Sequence, residues 1–190
     1  VQTCALPICF RPDWPEYPCY TLGEVFQDFS EHVAVWATEH KFDFGSIRTA
    51  GQLLWDLLNG HRDDRQLTDD DFTREWSRSD LSAGLAQWLQ LKHALSNDIL
   101  QHWRDAIDAA GRSDVELSAN AFMTPYTHVT GLDFAGAAGI CGAVSPKFYT
   151  MHWSLMVKFW AEPILAANPQ LSEEAVVGCL VRLMDIASGD

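Results

Sequence analysis

Apolar residues recur every three or four positions along most of this chain, which is the pattern of helices that bury one face. The longest stripe predicts a helix from about Leu81 to Ala110, with Gly111 ending it. Shorter stripes predict further helices over about 22–39, 46–58 and 154–166, and a last one that begins at Ser172. Helices therefore make up most of the predicted regular structure.

Three short segments have instead the composition of buried strands, and each is followed by proline or polar residues. The first ends soon after Asp13, in a stretch whose three prolines exclude a helix. The second covers Val115–Met123 and the third covers Ala143–Met151. Between the last two, Asp133 is predicted to be the N-cap of a short helix that ends near Ile140.

Strands that alternate with helices in this order predict an α/β fold with parallel strands joined by right-handed crossovers. Three strands do not close a barrel, but they match part of one. We therefore expect a partial (β/α)8 TIM barrel with parallel strands and a helical insertion at about 46–80. Residues 9–190 are expected to form this domain.

The first eight residues, Val-Gln-Thr-Cys-Ala-Leu-Pro-Ile, resemble the translation of a sequencing-adapter primer. Residues 1–8 are therefore expected to be a non-native tail, and they are left out of the fold prediction. We also expect the chain to be a fragment that is open at both ends and inactive when separated from the rest of its gene product.

The negative charge of the chain argues against some classes of binding partner. Its 190 residues carry a formal net charge of −13, with a pI of about 4.7. This sign opposes binding to nucleic acid, whose backbone is also anionic. No apolar run has the length that a membrane span needs, so no membrane partner is expected. The eight Trp residues serve either as core residues or as stacking surfaces for sugar rings.

Neither a metal nor a cofactor is expected from the spacing of the potential ligands. The five cysteines form no CxxC or Cys/His pattern typical of zinc sites, and Cys9 and Cys19 are the pair that a disulfide could join. The run Asp69-Asp70-Asp71 is predicted to lie at an N-cap and first helical turn, where negative charge is favourable. No glycine-rich phosphate loop is present.

Polar and aromatic side chains cluster where the three predicted strands end. Because the carboxyl ends of parallel strands meet at one edge, these residues are expected to face a common site. Ser118 and Asn120 share one strand face, as Arg11 and Asp13 do. The candidate site residues are Arg11, Asp13, Trp14 and Glu16 after the first strand, Asn120 in the second, and Lys147, Tyr149, His152 and Trp153 at the third.

Four stretches together carry a family resemblance: Arg-Pro-Asp-Trp-Pro-Glu-Tyr-Pro, Ser-Ala-Asn-Ala-Phe, Thr-Gly-Leu-Asp-Phe-Ala and Val-Ser-Pro-Lys-Phe-Tyr-Thr-Met-His-Trp. They resemble a group of predicted bacterial (β/α)8 glycoside-hydrolase-like proteins. The Arg-x-Asp pattern is also similar to the nucleophile strand of the α-amylase-like enzymes, although Pro12 departs from that pattern. The resemblance implies a carbohydrate substrate, with Asp13 as nucleophile or base and Arg11 as its ionic partner.

Cleavage of a glycosidic bond needs two carboxyl groups, one that protonates the leaving oxygen and one that attacks or activates water. Glu16 is the second candidate nearest to Asp13 in sequence. The remaining candidates, from Arg11 to Trp153, are predicted to bind substrate by hydrogen bonds or stacking. Structural alternatives stay open, such as an Arg11–Asp13 ion pair at a strand end. Two other functions also stay open: a carbohydrate-binding barrel without catalysis, and a helical interaction module.

Overall fold

The computed structural model describes residues 8–10, 29–60, 66–121, 126, 129, 131–146 and 151–184, with the backbone alone at 8–10 and 151–153. These ranges contain seven helices and three strands. The strands are β1 (Ile8–Phe10), β2 (Leu117–Ala121) and β3 (Ala143–Pro146). The helices are α1 (Glu31–Glu39), α2 (Phe44–Leu58), α3 (Asp69–Trp76), α4 (Ser79–Ala109), α5 (Phe134–Ile140), α6 (Met151–Ala167) and α7 (Glu173–Leu183).

The chain divides into two compact units. The sheet unit comprises the described parts of Val1–Glu16 and Lys92–Phe148, and the helical unit comprises those of Tyr17–Leu91 and Tyr149–Asp190. The long helix α4 contributes its first 13 residues to the helical unit and the remainder to the sheet unit. All three described strands belong to the sheet unit.

The sheet has the order β1-β2-β3, and both pairs of neighbouring strands are parallel. Phe10 lies opposite Ala119, and Ala121 lies opposite Pro146. One face of β2 packs against α4 and α5 in a cluster of buried apolar residues that includes Leu100, Leu117 and Ala119. The strand is almost entirely buried, which is typical of parallel sheets and explains its run of small apolar residues.

The predicted partial TIM barrel is wrong. The described strands have three, five and four residues and form one small open sheet, whereas the fold requires eight strands ringed by helices. Most described residues are helical, and the helices of the helical unit pack on one another, α1 on α2, α2 on α3, and α7 on both α3 and α6. The apolar stripes thus bury against other helices, which periodicity alone cannot distinguish from burial against a sheet.

The third strand is shorter than predicted. β3 ends at Pro146, and Met151, the last residue assigned to that strand, begins helix α6 instead. Helix α6 runs through Pro163 to Ala167, close to the predicted end near residue 166. Two other boundaries agree: α2 ends at Leu58, followed by Asn59 and by Gly60 with φ of 68°, and Asp133 is the N-cap of α5 as predicted. The helix predicted over about 22–39 does not run unbroken, because residues 29 and 30 are not helical and α1 begins at Glu31 after its N-cap Ser30.

A buried asparagine joins two helix ends within the helical unit. Asn168 is 1% exposed, and its Nδ2 donates to Leu58 O at 3.1 Å and to Ile164 O at 3.0 Å. Leu58 is the last residue of α2, and Ile164 O in the last turn of α6 also accepts from the Asn168 backbone N–H at 2.9 Å. A single side-chain amide therefore links the ends of two helices that are distant in sequence, which fixes how α2 and α6 meet.

The three consecutive aspartates begin helix α3, in the position predicted from their sequence. Thr68 is the N-cap, and its Oγ1 accepts from the Asp71 N–H at 3.2 Å while Asp71 Oδ2 accepts from the Thr68 N–H at 3.3 Å. This reciprocal pair is a capping box. Asp69 Oδ1 also accepts from the Ser172 N–H at 2.8 Å, which ties the start of α3 to the start of α7.

We expect the capping box to make the helical unit sensitive to acid. The Arg74 ion pair, followed by the Thr68 hydrogen bonds, lowers the pKa of Asp71 to about 2 from its ordinary 3.8. A lowered folded-state pKa contributes stability that is present above the unfolded pKa and lost as pH falls toward the folded one. In urea titrations, the free energy of unfolding of the wild type should fall as the pH is lowered from 5 to 2. This fall should be smaller in Asp71→Asn, and Arg74→Gln should reduce it in part. An unchanged slope in Asp71→Asn would contradict this assignment.

Candidate functional site at the carboxyl edge of the sheet

The carboxyl ends of the three strands meet at one edge of the sheet. The register sets Phe10 beside Ala119 on β2 and Ala121 beside Pro146 on β3, so the strands end within about two residues of each other. In sequence, Arg11 follows β1 directly and Lys147 follows β3 directly. Ligands of open parallel sheets bind outside the carboxyl ends of the strands, so this edge is the candidate site.

Asn120 is the candidate site residue whose side chain the structure describes. It lies next to the last residue of β2, is half-buried, and has Ser145 of β3 as its Cα partner. Successive strand residues alternate between the two faces, so Asn120 and Ser118 share the face opposite to Leu117, Ala119 and Ala121. Asn120 therefore faces away from the apolar cluster formed with α4 and α5.

Helix α4 runs antiparallel to β2, as three side-chain hydrogen bonds show. Near the C-terminal end of α4, Arg104 Nη1 donates to Val115 O at 2.8 Å, just before β2 begins. Earlier in α4, Ser96 Oγ donates to Gly131 O at 2.7 Å, and Asn97 Nδ2 donates to Asp133 Oδ2 at 2.9 Å. Residues 96 and 97 therefore contact the segment that follows β2, on the side of the carboxyl edge.

Asp133 stays ionised because its oxygens accept hydrogen bonds. Burial opposes its charge, but hydrogen bonds from Asn97 and from the backbone N–H groups of Gly136 and Ala135 outweigh that effect and lower its pKa. The same carboxylate caps α5, so its lone pairs are used in holding the helix start against α4. This arrangement suits a structural anion better than a general acid, which must carry a proton near neutral pH.

The Asn97–Asp133 contact was not predicted from the sequence, although a signal for Asn97 exists. Asparagine is unfavourable within a helix unless its side chain has a partner, and Asn97 lies in the middle of α4. Its Oδ1 is buried and accepts no hydrogen bond from the residues that the structure describes. Exchanging the amide atoms would set Oδ1 against the Asp133 carboxylate, so the present orientation is the favourable one.

The other candidate residues divide into two groups. Six of them lie outside the described residues and stay predictions: Arg11, Asp13, Trp14, Glu16, Lys147 and Tyr149. His152 and Trp153 lie in the first turn of α6, which belongs to the helical unit, whereas Asn120 belongs to the sheet unit. Their predicted position at the end of the third strand is therefore wrong, because a helix has already begun at Met151.

The buried thiols offer no reactive group in the described ranges. Cys141 and Cys179 are free and buried, and burial raises the pKa of each thiol, which disfavours the nucleophilic thiolate. The Cys9–Cys19 pairing lies outside the described side chains. Within those ranges no group of three or more His, Cys, Asp or Glu residues is arranged to hold a metal ion. No described helix is long and apolar enough to cross a membrane.

Comparisons with known proteins indicate no function, so the functional proposal rests on the residues of this chain. A scan against protein-family models, a search of curated proteins and a search of solved structures each find no match to this chain.

Proposed function

We propose that the carboxyl edge of the three-stranded sheet binds a carbohydrate and that Asp13 and Glu16 serve to hydrolyse its glycosidic bonds. The observation that supports this most strongly is the parallel register, in which all three strands end at one edge. Arg11 and Asp13 follow one of these ends in sequence, and Lys147 and Tyr149 follow another. This proposal concerns the small open sheet, and it does not need a closed barrel.

The chemistry assigns separate roles to the two carboxyl groups. Arg11 would hold Asp13 ionised, since a neighbouring cation lowers the pKa of a carboxyl group. The Asp13 carboxylate would then attack the anomeric carbon or activate water, while Glu16 would protonate the leaving oxygen. Asn120, half-buried next to the end of β2, would hydrogen-bond a sugar hydroxyl with its amide. The aromatic ring of Trp14 would stack on a sugar face.

The decisive experiment compares Asp13→Asn with the wild-type protein, by release of reducing ends from a panel of polysaccharides. We expect turnover to fall about 10³-fold or more, because a carboxylate that reacts directly with substrate has no substitute. Asp105→Asn is the matched control: Asp105 is exposed on α4 and accepts one hydrogen bond from Gln101, so turnover should not change. Equal turnover in Asp13→Asn and wild type would reject the proposal.

Carbohydrate binding without cleavage is the second candidate, and one observation favours it. The carboxylate of Asp133, in the described residues near this edge, already caps α5 and accepts from Asn97. Asp133 is thus committed to holding the helix start, and the proposed catalysis rests on Asp13 and Glu16. Binding measured by calorimetry without release of reducing ends would select this candidate, and loss of binding in Asn120→Ala would place the sugar at the same edge.

A further inference from the structure

A cavity of about 340 Å³ opens along one face of helix α2 in the helical unit, separate from the proposed carbohydrate site. Three of its lining residues, Arg48, Gln52 and Trp55, follow one another at the i, i+4 and i+7 spacing of a single helix face. The lining consists of Phe29, Arg48, Gly51, Gln52, Leu54, Trp55 and Leu58. Its volume lies within the range of roughly 300–1,000 Å³ that small-molecule sites occupy.

Two aromatic side chains, Phe29 and Trp55, line the cavity, and Gly51 allows the Phe29 ring to pack against α2. A Cβ at position 51 would come within 2.6 Å of the Phe29 ring, so glycine lets that ring lie directly against the helix. Phe44 packs against Phe29 in a tilted arrangement with ring centroids 6.2 Å apart, which also helps to hold the Phe29 ring. Trp55 is 47% exposed, an unusual exposure for the largest apolar side chain, and it borders the opening.

Two polar side chains line the cavity, Gln52 and Arg48, and they differ in their hydrogen bonds to the protein. Gln52 Nε2 donates to Asp56 Oδ1 at 2.9 Å, which orients the amide and leaves Gln52 Oε1 as an acceptor. Arg48 is exposed and forms no hydrogen bond or ion pair with the residues that the structure describes. An arginine guanidinium carries a planar set of donors that matches a carboxylate in geometry and charge.

We propose that this cavity binds a small organic anion with a flat apolar body, namely an aromatic carboxylate. The apolar body fits between Trp55 and Phe29 above Leu54, and the carboxylate pairs with Arg48. The net charge of −13 repels anions in general, so binding requires both the local cation and the buried apolar body. A neutral sugar would bring no charge to pair with the guanidinium, and an apolar hydrocarbon would bring neither a charge nor an acceptor.

The test uses 3-phenylpropionate and 3-phenylpropionamide, which have the same shape and differ in charge. Each is titrated into the ¹⁵N-labelled chain while the indole N–H resonance of Trp55, assigned with Trp55→Phe, is followed. We expect the acid to shift this resonance and to bind at least about tenfold more tightly than the amide, since a charge-assisted hydrogen bond contributes more than a neutral one. Arg48→Gln should reduce the affinity for the acid to that for the amide.

Two further variants make the result specific to Arg48. Arg48→Lys keeps the positive charge and should keep a preference for the acid, although a weaker one, because lysine lacks the planar fork. Arg112→Gln removes the same charge from an exposed ion pair in the sheet unit and should leave both affinities unchanged. Equal affinities of acid and amide in the wild type, no shift at about 10 mM ligand, or full binding in Arg48→Gln would each overturn the proposal.

Discussion

Trp160→Ala should lower the free energy of unfolding of the helical unit by about 3–5 kcal/mol, the range typical of a buried tryptophan replaced by alanine. Trp160 lies in α6, is 0% exposed, and is one of the two largest side chains that the described core buries completely. Its removal loses the transfer free energy of the indole and leaves a cavity that the surrounding helices fill only in part. Because domains have a total stability of roughly 5–15 kcal/mol, this single change would remove a large part of it.

Urea unfolding followed by far-ultraviolet circular dichroism measures this loss, and Trp55→Ala is the matched control. The control deletes the same side chain, but Trp55 is 47% exposed at the rim of the cavity on α2. Its cost should stay below about 1 kcal/mol, since exposed positions contribute little to stability. Similar losses in the two variants would show that Trp160 is not part of a tightly packed core.

Gly84→Ala should destabilise the helical unit by about 1–3 kcal/mol, although alanine is the better helix former. Gly84 lies in α4 where that helix crosses α2, and a Cβ at this position would overlap the Cβ of Ala50 and approach Ser46 O at 3.2 Å. Neither neighbour can turn away, because one is a methyl group fixed to the backbone and the other is backbone itself. The two helices would have to separate, which loses contacts along their whole crossing.

Gly178→Ala is the control that separates this clash from helix propensity. Gly178 lies inside α7, and a Cβ there would meet Arg182 Nη1 alone, at 3.9 Å. The same substitution should therefore stabilise the unit by about 0.5–1 kcal/mol, the ordinary advantage of alanine over glycine in a helix. The opposite signs of the two changes are the expected result, and stabilisation by Gly84→Ala would refute the close crossing.

The helices were predictable from the sequence because their signals are local. The stripe that predicted a helix from about Leu81 to Ala110 corresponds to α4, and Gly111, with φ of 71°, follows its end. Ser172 is the N-cap of α7, and its Oγ accepts from the Ala175 N–H at 3.2 Å. Capping and glycine conformations depend on a few adjacent residues, so they can be recognised without knowledge of the fold.

The candidate site was less predictable, because it depends on residues that are far apart in sequence. Asn120 was correctly assigned to a strand, but the contact between Asn97 and Asp133 spans 36 residues. His152 and Trp153 were placed at a strand end because Ala143–Met151 was predicted to be a strand, yet α6 begins at Met151. Short apolar runs of this kind satisfy the patterns of both strand and helix, and tertiary packing decides between them.

The sequence by itself determined most of the helical stripes, the caps at Asp133 and Ser172, and that the chain is strongly acidic. Tertiary structure decided which element each apolar face packs against, and this overturned the barrel: the stripes of α2, α3 and α7 bury against other helices in a separate unit. The physical reason is that hydrophobic burial has no direction, so an apolar face is equally satisfied by a sheet or by another helix. The choice between them depends on close fits such as Gly84 on Ala50, which become visible in three dimensions alone.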